Sequence, residues 1–213
     1  MKSTTTAPFT LVLEHLSAFM RPHGFCRKGQ LFIRETDECL HYVVPQRGRP
    51  TSSHTGRITI NLSAAPRVFQ PFSGAAREKP LHWATCPVYF RIGRLIDKGD
   101  IWWPISGRAE AEHASQEINA ILAEHGISLL DLLSTQDGFL AFFNSGKTYG
   151  FEIARDKCRL ILNAEANNRT AVADLSIQFV TRWAGGPANA NASEFLNKLR
   201  AAYPQSFVGA PHG

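Results

Sequence analysis

Apolar residues repeat with two different periods in this chain, and the order of those periods limits the fold more than any motif does. Phe9, Val12, Leu13, Leu16, Phe19 and Met20 fall three and four apart, which is one face of a helix. Pro22 cannot continue that helix without cost, and Gly24 offers the permissive backbone that closes one. A period of two then takes over. Residues Phe25 to Arg34 and Cys39 to Gln46 are rich in β-formers and are separated by Glu35-Thr36-Asp37-Glu38, a pattern that predicts a hairpin. In Arg57-Ile58-Thr59-Ile60-Asn61-Leu62 the alternation is strict, so Ile58, Ile60 and Leu62 are expected on a core face and Arg57, Thr59 and Asn61 on a polar one. Val88, Phe90 and Ile92 repeat the alternation, with Tyr89 and Arg91 off the core. Parity would turn Arg94 inward, so the strand is expected to end or bulge near Gly93. Between these strands, Ala65 to Pro80 holds three prolines and three basic residues and reads as a long surface loop.

From Ser106 onward the period is helical. Ser106 is a candidate N-cap, and Ala111, Ala114, Ile118, Ile121, Leu122 and His125 form a stripe that Gly126 is expected to close. Ser128 with Asp131 resembles a capping box opening a short leucine-rich helix. Further helices are expected over 136–145, 149–165, 171–184 and, after a linker at Gly185–Asn189, 194–203. A helix, then consecutive strands, then consecutive helices defines an α+β fold: an N-terminal helix, an antiparallel meander of four to five strands, and C-terminal helices packed on the sheet. Alternating βαβ units are disfavoured. At 213 residues the chain is long enough to bury a core without metals or disulfides. One domain is expected over 1–213, with helix and sheet in 1–105 and a helical part in 106–213. Burial of Phe139, Phe142, Phe143 and Phe151 against the sheet would mark a shared core.

Composition narrows the function classes. No stretch reaches the roughly 18 to 20 apolar residues that span a bilayer. Glu14, His15 and Arg21 interrupt the first apolar segment, which argues against a signal-peptide core. Cys26, Cys39, Cys86 and Cys158 are scattered, without a CxxC pair or zinc spacing. The expectation is a cytoplasmic protein with reduced thiols, no membrane association, no metal and no cofactor. The P-loop, GxGxxG, HExxH and GxSxG signatures are absent, and His82 and Cys86 are expected to be unrelated, so the balance leans away from an enzyme. Residues 1–100 carry 14 Lys and Arg against 7 Asp and Glu, whereas residues 101–213 carry 9 against 11. The basic first half can attract nucleic acid, an acidic protein or another anionic surface.

Two features bear on binding. Trp102 and Trp103 are adjacent, so in an extended segment one joins the core while the other lies over the polar side of the sheet. That polar side, carrying Arg57, Thr59, Asn61, Tyr89 and Arg91, could line a shallow groove beneath the long loop.

The ordered set Pro22-His23-Gly24-Phe25, Lys28-Gly29, Phe32-Ile33-Arg34, Gln46, Thr59-Ile60-Asn61-Leu62, Arg91-Ile92-Gly93 and Trp102-Trp103 resembles the bacterial domain-of-unknown-function family 4304 over about residues 9–133. The resemblance implies a small cytosolic α+β domain. It marks Arg34, Gln46, Asn61, Arg91 and Trp102 as the polar and aromatic positions of the family pattern, and it implies no activity.

Three functions remain open on these grounds. The first is a non-enzymatic protein-binding module of immunity or adaptor type, using a surface that includes Arg57, Arg91 and Trp103. The second is nucleic-acid binding through the basic half, with Trp102 or Trp103 stacking on an unpaired base. The third is an enzyme acting on a small anion held by Arg34 or Arg91. The favoured partner is another protein.

Overall fold

The first helix, α1 (Pro8–Met20), begins with the proline whose missing amide costs nothing at that position. It runs through a 3-10 turn at Arg21–His23 and ends where Gly24 takes the left-handed conformation at φ 81°. The computed structural model describes residues 7–48, 56–73, 81–183 and 188–208. After α1 the described residues build six strands: β1 (Cys26–Lys28), β2 (Leu31–Glu35), β3 (Cys39–Arg47), β4 (Arg57–Pro66), β5 (Val88–Arg91) and β6 (Trp103–Pro104). The first five are neighbours in sequence order, every pair is antiparallel, and β6 pairs with β4 at Arg57 and Ile58. The expected meander is present, with one short strand added.

The segment Phe25–Arg34, which reads as one strand in the sequence, is two. Gly29 sits at φ 64°, and Lys28 pairs directly with Leu31 across the tight reversal. A left-handed glycine here outweighs the β-formers on either side. The expected loop at 65–80 is also shorter. β4 extends to Pro66, and Arg67–Phe72 forms a 3-10 helix that buries Phe69 and Phe72, while residues 74–80 lie outside the described residues. β5 stops at Arg91, and Ile92–Ile96 turns as a 3-10 helix, in keeping with the expected end near Gly93.

Helix α2 (Arg108–Ile121) does not close at Gly126. It passes through a π-helical turn at Leu122–Gly126 straight into α3 (Ile127–Leu132). The wider turn rephases the stripe, so Ala111, Ala114, Ile118, Leu122, Leu129 and Leu130 are all buried. Ser128 therefore lies inside a helix, donating its hydroxyl to the His125 carbonyl at 3.1 Å, and is not a cap. Ser106 is not the N-cap either. Gly107 holds that place, and the Glu110 carboxylate reaches back to accept the Ser106 amide at 2.6 Å. Helices α4 (Gln136–Asn144), α5 (Glu152–Glu165), α6 (Arg169–Trp183) and α7 (Ala188–Ala202) complete the fold. α7 begins within the expected linker, whose residues 185–187 lie outside the described residues.

Buried side chains of the sheet and of the helices on both sides of it in sequence join one hydrophobic cluster. Phe139, Phe142 and Phe143 are buried in it, and Phe142 contacts Tyr149, whose ring lies 4.2 Å from Phe90 of β5. Phe151 departs from the expectation: it is 59% exposed.

Register divides the sheet into two faces. On the first, Phe32, Arg34, His41, Val43, Ile58, Ile60, Leu62, Phe90 and Trp103 point toward the helices. On the second lie Leu31, Ile33, Tyr42, Gln46, Thr59, Asn61, Ser63, Tyr89 and Arg91. This second face is not the solvated polar surface that alternation predicts, because Thr59, Asn61 and Ser63 are fully buried.

Candidate functional site

The second face carries two adjoining features. Across β3, β4 and β5 runs a hydrogen-bonded row of neutral side chains: the Tyr89 hydroxyl donates to Asn61 Oδ1 at 3.2 Å, and Asn61 Nδ2 donates to Gln46 Oε1 at 2.9 Å and to the Val44 carbonyl at 3.4 Å. On either side of Asn61 along β4, the buried hydroxyls of Thr59 and Ser63 have no hydrogen-bond partner among the described residues. The row holds Tyr89 by its hydroxyl and so orients its ring.

That ring is the third of four. His82 and Trp83 stand 5.1 Å apart between ring centroids, Trp83 and Tyr89 5.6 Å, and Tyr89 and Phe151 6.3 Å in a stacked arrangement. Two backbone devices place the ends. His82 caps its own 3-10 turn by accepting the Ala84 amide at 3.3 Å on Nδ1, which fixes Trp83 beside it. At the other end Gly150, at φ 92°, crosses the edge of β5 so closely that a methyl group on its α-carbon would overlap the Pro87 carbonyl oxygen. The chain therefore sends Tyr149 to the ring of Phe90 on the first face and Phe151 to Tyr89 on the second. His82 and Cys86 form no side-chain pair; the Cys86 thiol is buried, its pKa is pushed up by burial, and it lies 3.9 Å from the His82 carbonyl.

Beside the rings, over β2 and β3, a groove of about 620 Å³ is floored by Leu31, Ile33 and Leu40 and walled by Trp83. The Tyr42 hydroxyl donates to the Leu81 carbonyl at 2.8 Å, and burial raises its pKa to about 12. At the rim Arg67 bonds Glu35 at 3.1 Å, and Lys28 approaches the same carboxylate at 4.0 Å. The floor is apolar, the wall aromatic and the rim charged with both signs.

The residues singled out from the sequence separate into three environments. Gln46 and Asn61 are in the hydrogen-bonded row. Arg57, Arg91 and Trp102 form a second cluster, in which the two guanidinium groups lie 4.8 and 5.1 Å from the Trp102 ring and Arg91 is ion-paired with Asp100. Arg34 and Trp103 belong to the opposite face. Arg34, its side chain 12% exposed, donates to Asp131 at 2.6 Å and to the Ser134 hydroxyl at 3.2 Å, and it lies over the Phe25 ring. Trp103 is buried and donates its indole N–H to Glu117 at 2.6 Å. Both tie β-strands to α2 and α3. The sequence reading weighed His82 only as a partner of Cys86 and did not single out Trp83, Phe151 as an exposed ring, or the groove floor.

Among the described residues no group of three or more His, Cys, Asp and Glu is placed to hold a metal ion, and no helix is long and apolar enough to cross a membrane. All four cysteines are unpaired.

An N-terminal helix, an antiparallel six-stranded sheet and a succession of C-terminal helices place the protein in the α+β class. Within that class the chain belongs to the family described as "Domain of unknown function (DUF4304)", which it matches over residues 16–132, more than half of its length. No curated protein and no solved structure matches it. The groove floor and the Asn61 row lie within the matched region, whereas Phe151 lies beyond it.

Proposed function

We propose that this protein is a non-enzymatic, cytoplasmic protein-binding module, of immunity or adaptor type, whose contact surface is the second face of the sheet. The observation that carries the reading is the row of four rings ending in the exposed Phe151 beside an apolar groove. Large aromatics at the centre of a patch with a polar rim supply most of the energy of protein association, and exposed apolar patches of this kind mark contact sites. Tyr89 is held by its hydroxyl before any partner arrives, which lowers the entropy lost on binding. The unpaired thiols support the cytoplasmic part of the reading.

The other two readings draw less support. A base stacking on Trp102 would compete with the guanidinium groups of Arg57 and Arg91, and Trp103 is buried. A small anion on Arg34 or Arg91 would displace Asp131 or Asp100.

The test is quantitative capture of partners from the native host, with and without nuclease, by the wild-type chain and three variants. A stoichiometric protein is expected to survive nuclease, to remain bound to the control Ile177→Arg on the exposed side of α6, and to be lost with Phe151→Arg and with Trp83→Ala. Retention of that protein by both ring variants, or recovery of nuclease-sensitive nucleic acid in its place, overturns the proposal.

A further inference from the structure

A second cavity, of about 490 Å³, lies at the end of the β3–β4 hairpin and involves none of the groove residues. Pro8, Phe9 and Ile105 give it apolar walls, and Arg47 and Arg57 line it as well. Arg47 pairs in register with Ile58 and so points to the first face, while Arg57, one residue earlier on β4, points to the second. The two side chains thus reach the cavity from opposite sides of the end of the sheet.

Their state differs from that of Arg34 and Arg91, each of which already holds a carboxylate. Among the described residues neither Arg47 nor Arg57 has an ion-pair partner. Each is held instead by an aromatic ring: Arg47 lies 3.9 Å from the centroid of Phe9, and Arg57 lies 4.8 Å from that of Trp102. An aromatic ring attracts a guanidinium without neutralising it, and it leaves N–H groups able to grip an oxyanion. Gly48 adds a positioning device. The Arg57 side chain lies directly across its bare α-carbon, where a methyl group would overlap Cγ and Nε.

The surroundings have the same sign. α1 starts at Pro8 beside the cavity with no side-chain cap and no acidic residue in its first turn, so the positive end of its dipole is unopposed there. A cavity of this size, apolar in its walls and cationic at two points, fits an amphiphilic anion.

We propose that this cavity binds a small oxyanion carried on an apolar body. The carboxylate or phosphate head sits between Arg47 and Arg57, and the hydrocarbon or aromatic body lies against Phe9, Pro8 and Ile105.

The probe is anilinonaphthalene sulfonate, an anion on an aromatic body, titrated into the full chain and followed by fluorescence. One saturable site is expected, with affinity reduced about tenfold or more by Arg47→Gln and by Arg57→Gln, the scale of a charge-assisted hydrogen bond. Gly48→Ala should weaken binding too, because it displaces Arg57 while adding no charge. Arg27→Gln, on β1, should leave binding unchanged. Uncharged phenylnaphthylamine should bind far more weakly than the anion. Decanoate and decyl phosphate then distinguish a carboxylate from a phosphate head, with decanol as the neutral control. Unchanged affinity in both arginine variants with circular dichroism like the wild type, equal binding of the neutral probe, or failure of both anions to compete overturns the assignment. If an arginine variant does not fold, Gly48→Ala and the neutral probe decide the question.

Discussion

The two faces of the sheet use polar groups in opposite ways. On the first face three strand-borne polar side chains bond to the helical side: Arg34 to Asp131 and Ser134, His41 to the Leu133 carbonyl at 2.9 Å, Trp103 to Glu117. On the second face Gln46, Asn61 and Tyr89 satisfy one another within the sheet. Polar groups on the first face fasten layers together, so their loss should cost stability. The Gln46, Asn61 and Tyr89 row takes its side-chain bonds from within the sheet, which leaves the rings and the groove beside it available to a partner.

The largest effect expected from this contrast compares two phenylalanines in neighbouring segments. Phe139→Ala opens a void in the core shared by sheet and helices and should lower stability by about 3–5 kcal/mol in urea unfolding. Phe151→Ala, at the exposed end of the ring row, should stay within about 0.5 kcal/mol. Comparable losses would mean that the two faces are equally structural.

Acid should act through the first face next. His41 is fully buried, and burial lowers its pKa from 6.5 to about 4, so the folded protein holds it neutral while the unfolded chain protonates it first. Its contribution is complete above pH 6.5 and is lost as pH falls from 6.5 toward 4, amounting to about 3 kcal/mol at the end of that window. Urea midpoints at several pH values should show this fall on top of the general carboxylate effect, and His41→Gln should remove that part of the slope.

Asp131→Asn leaves Arg34 its hydrogen bonds but removes the opposing charge, and a loss of about 1–2 kcal/mol is expected in the same assay. Smallest, and of opposite sign, is Thr59→Val on the second face. Its buried hydroxyl has no partner among the described residues, so an isosteric methyl should be neutral or stabilising by up to about 1 kcal/mol in thermal unfolding. A clear loss would show that the hydroxyl is satisfied by something bound there.

Alternation in Arg57–Leu62 was enough to separate the two faces, and the succession of periods was enough to give the α+β class, because both depend on local geometry. Neither could show what covers each face. Arg34 and Arg91 look alike in sequence, yet the strand geometry places them on opposite sides, and the carboxylate that holds Arg34 comes from a helix 97 residues away. Gly126 misled for a local reason: a glycine in a helical stripe reads as a stop, but a π turn accommodates it and restores the phase of the leucines that follow. The ring row was hidden because its members come from a 3-10 turn, a strand and the entry to α5, which are brought together only when the sheet forms.

The crossing at Gly150 has a further effect, on how the sheet meets other molecules of its own kind. A terminal strand presents unpaired backbone groups that invite another chain to add on. By passing within contact of Pro87 and Tyr89, the Gly150 segment obstructs that addition alongside β5. The opposite margin is β1, only three residues long and bearing Arg27 and Lys28, where brevity and like charges discourage edge-to-edge growth. The sheet can therefore present an aromatic surface for recognition while both of its margins resist aggregation.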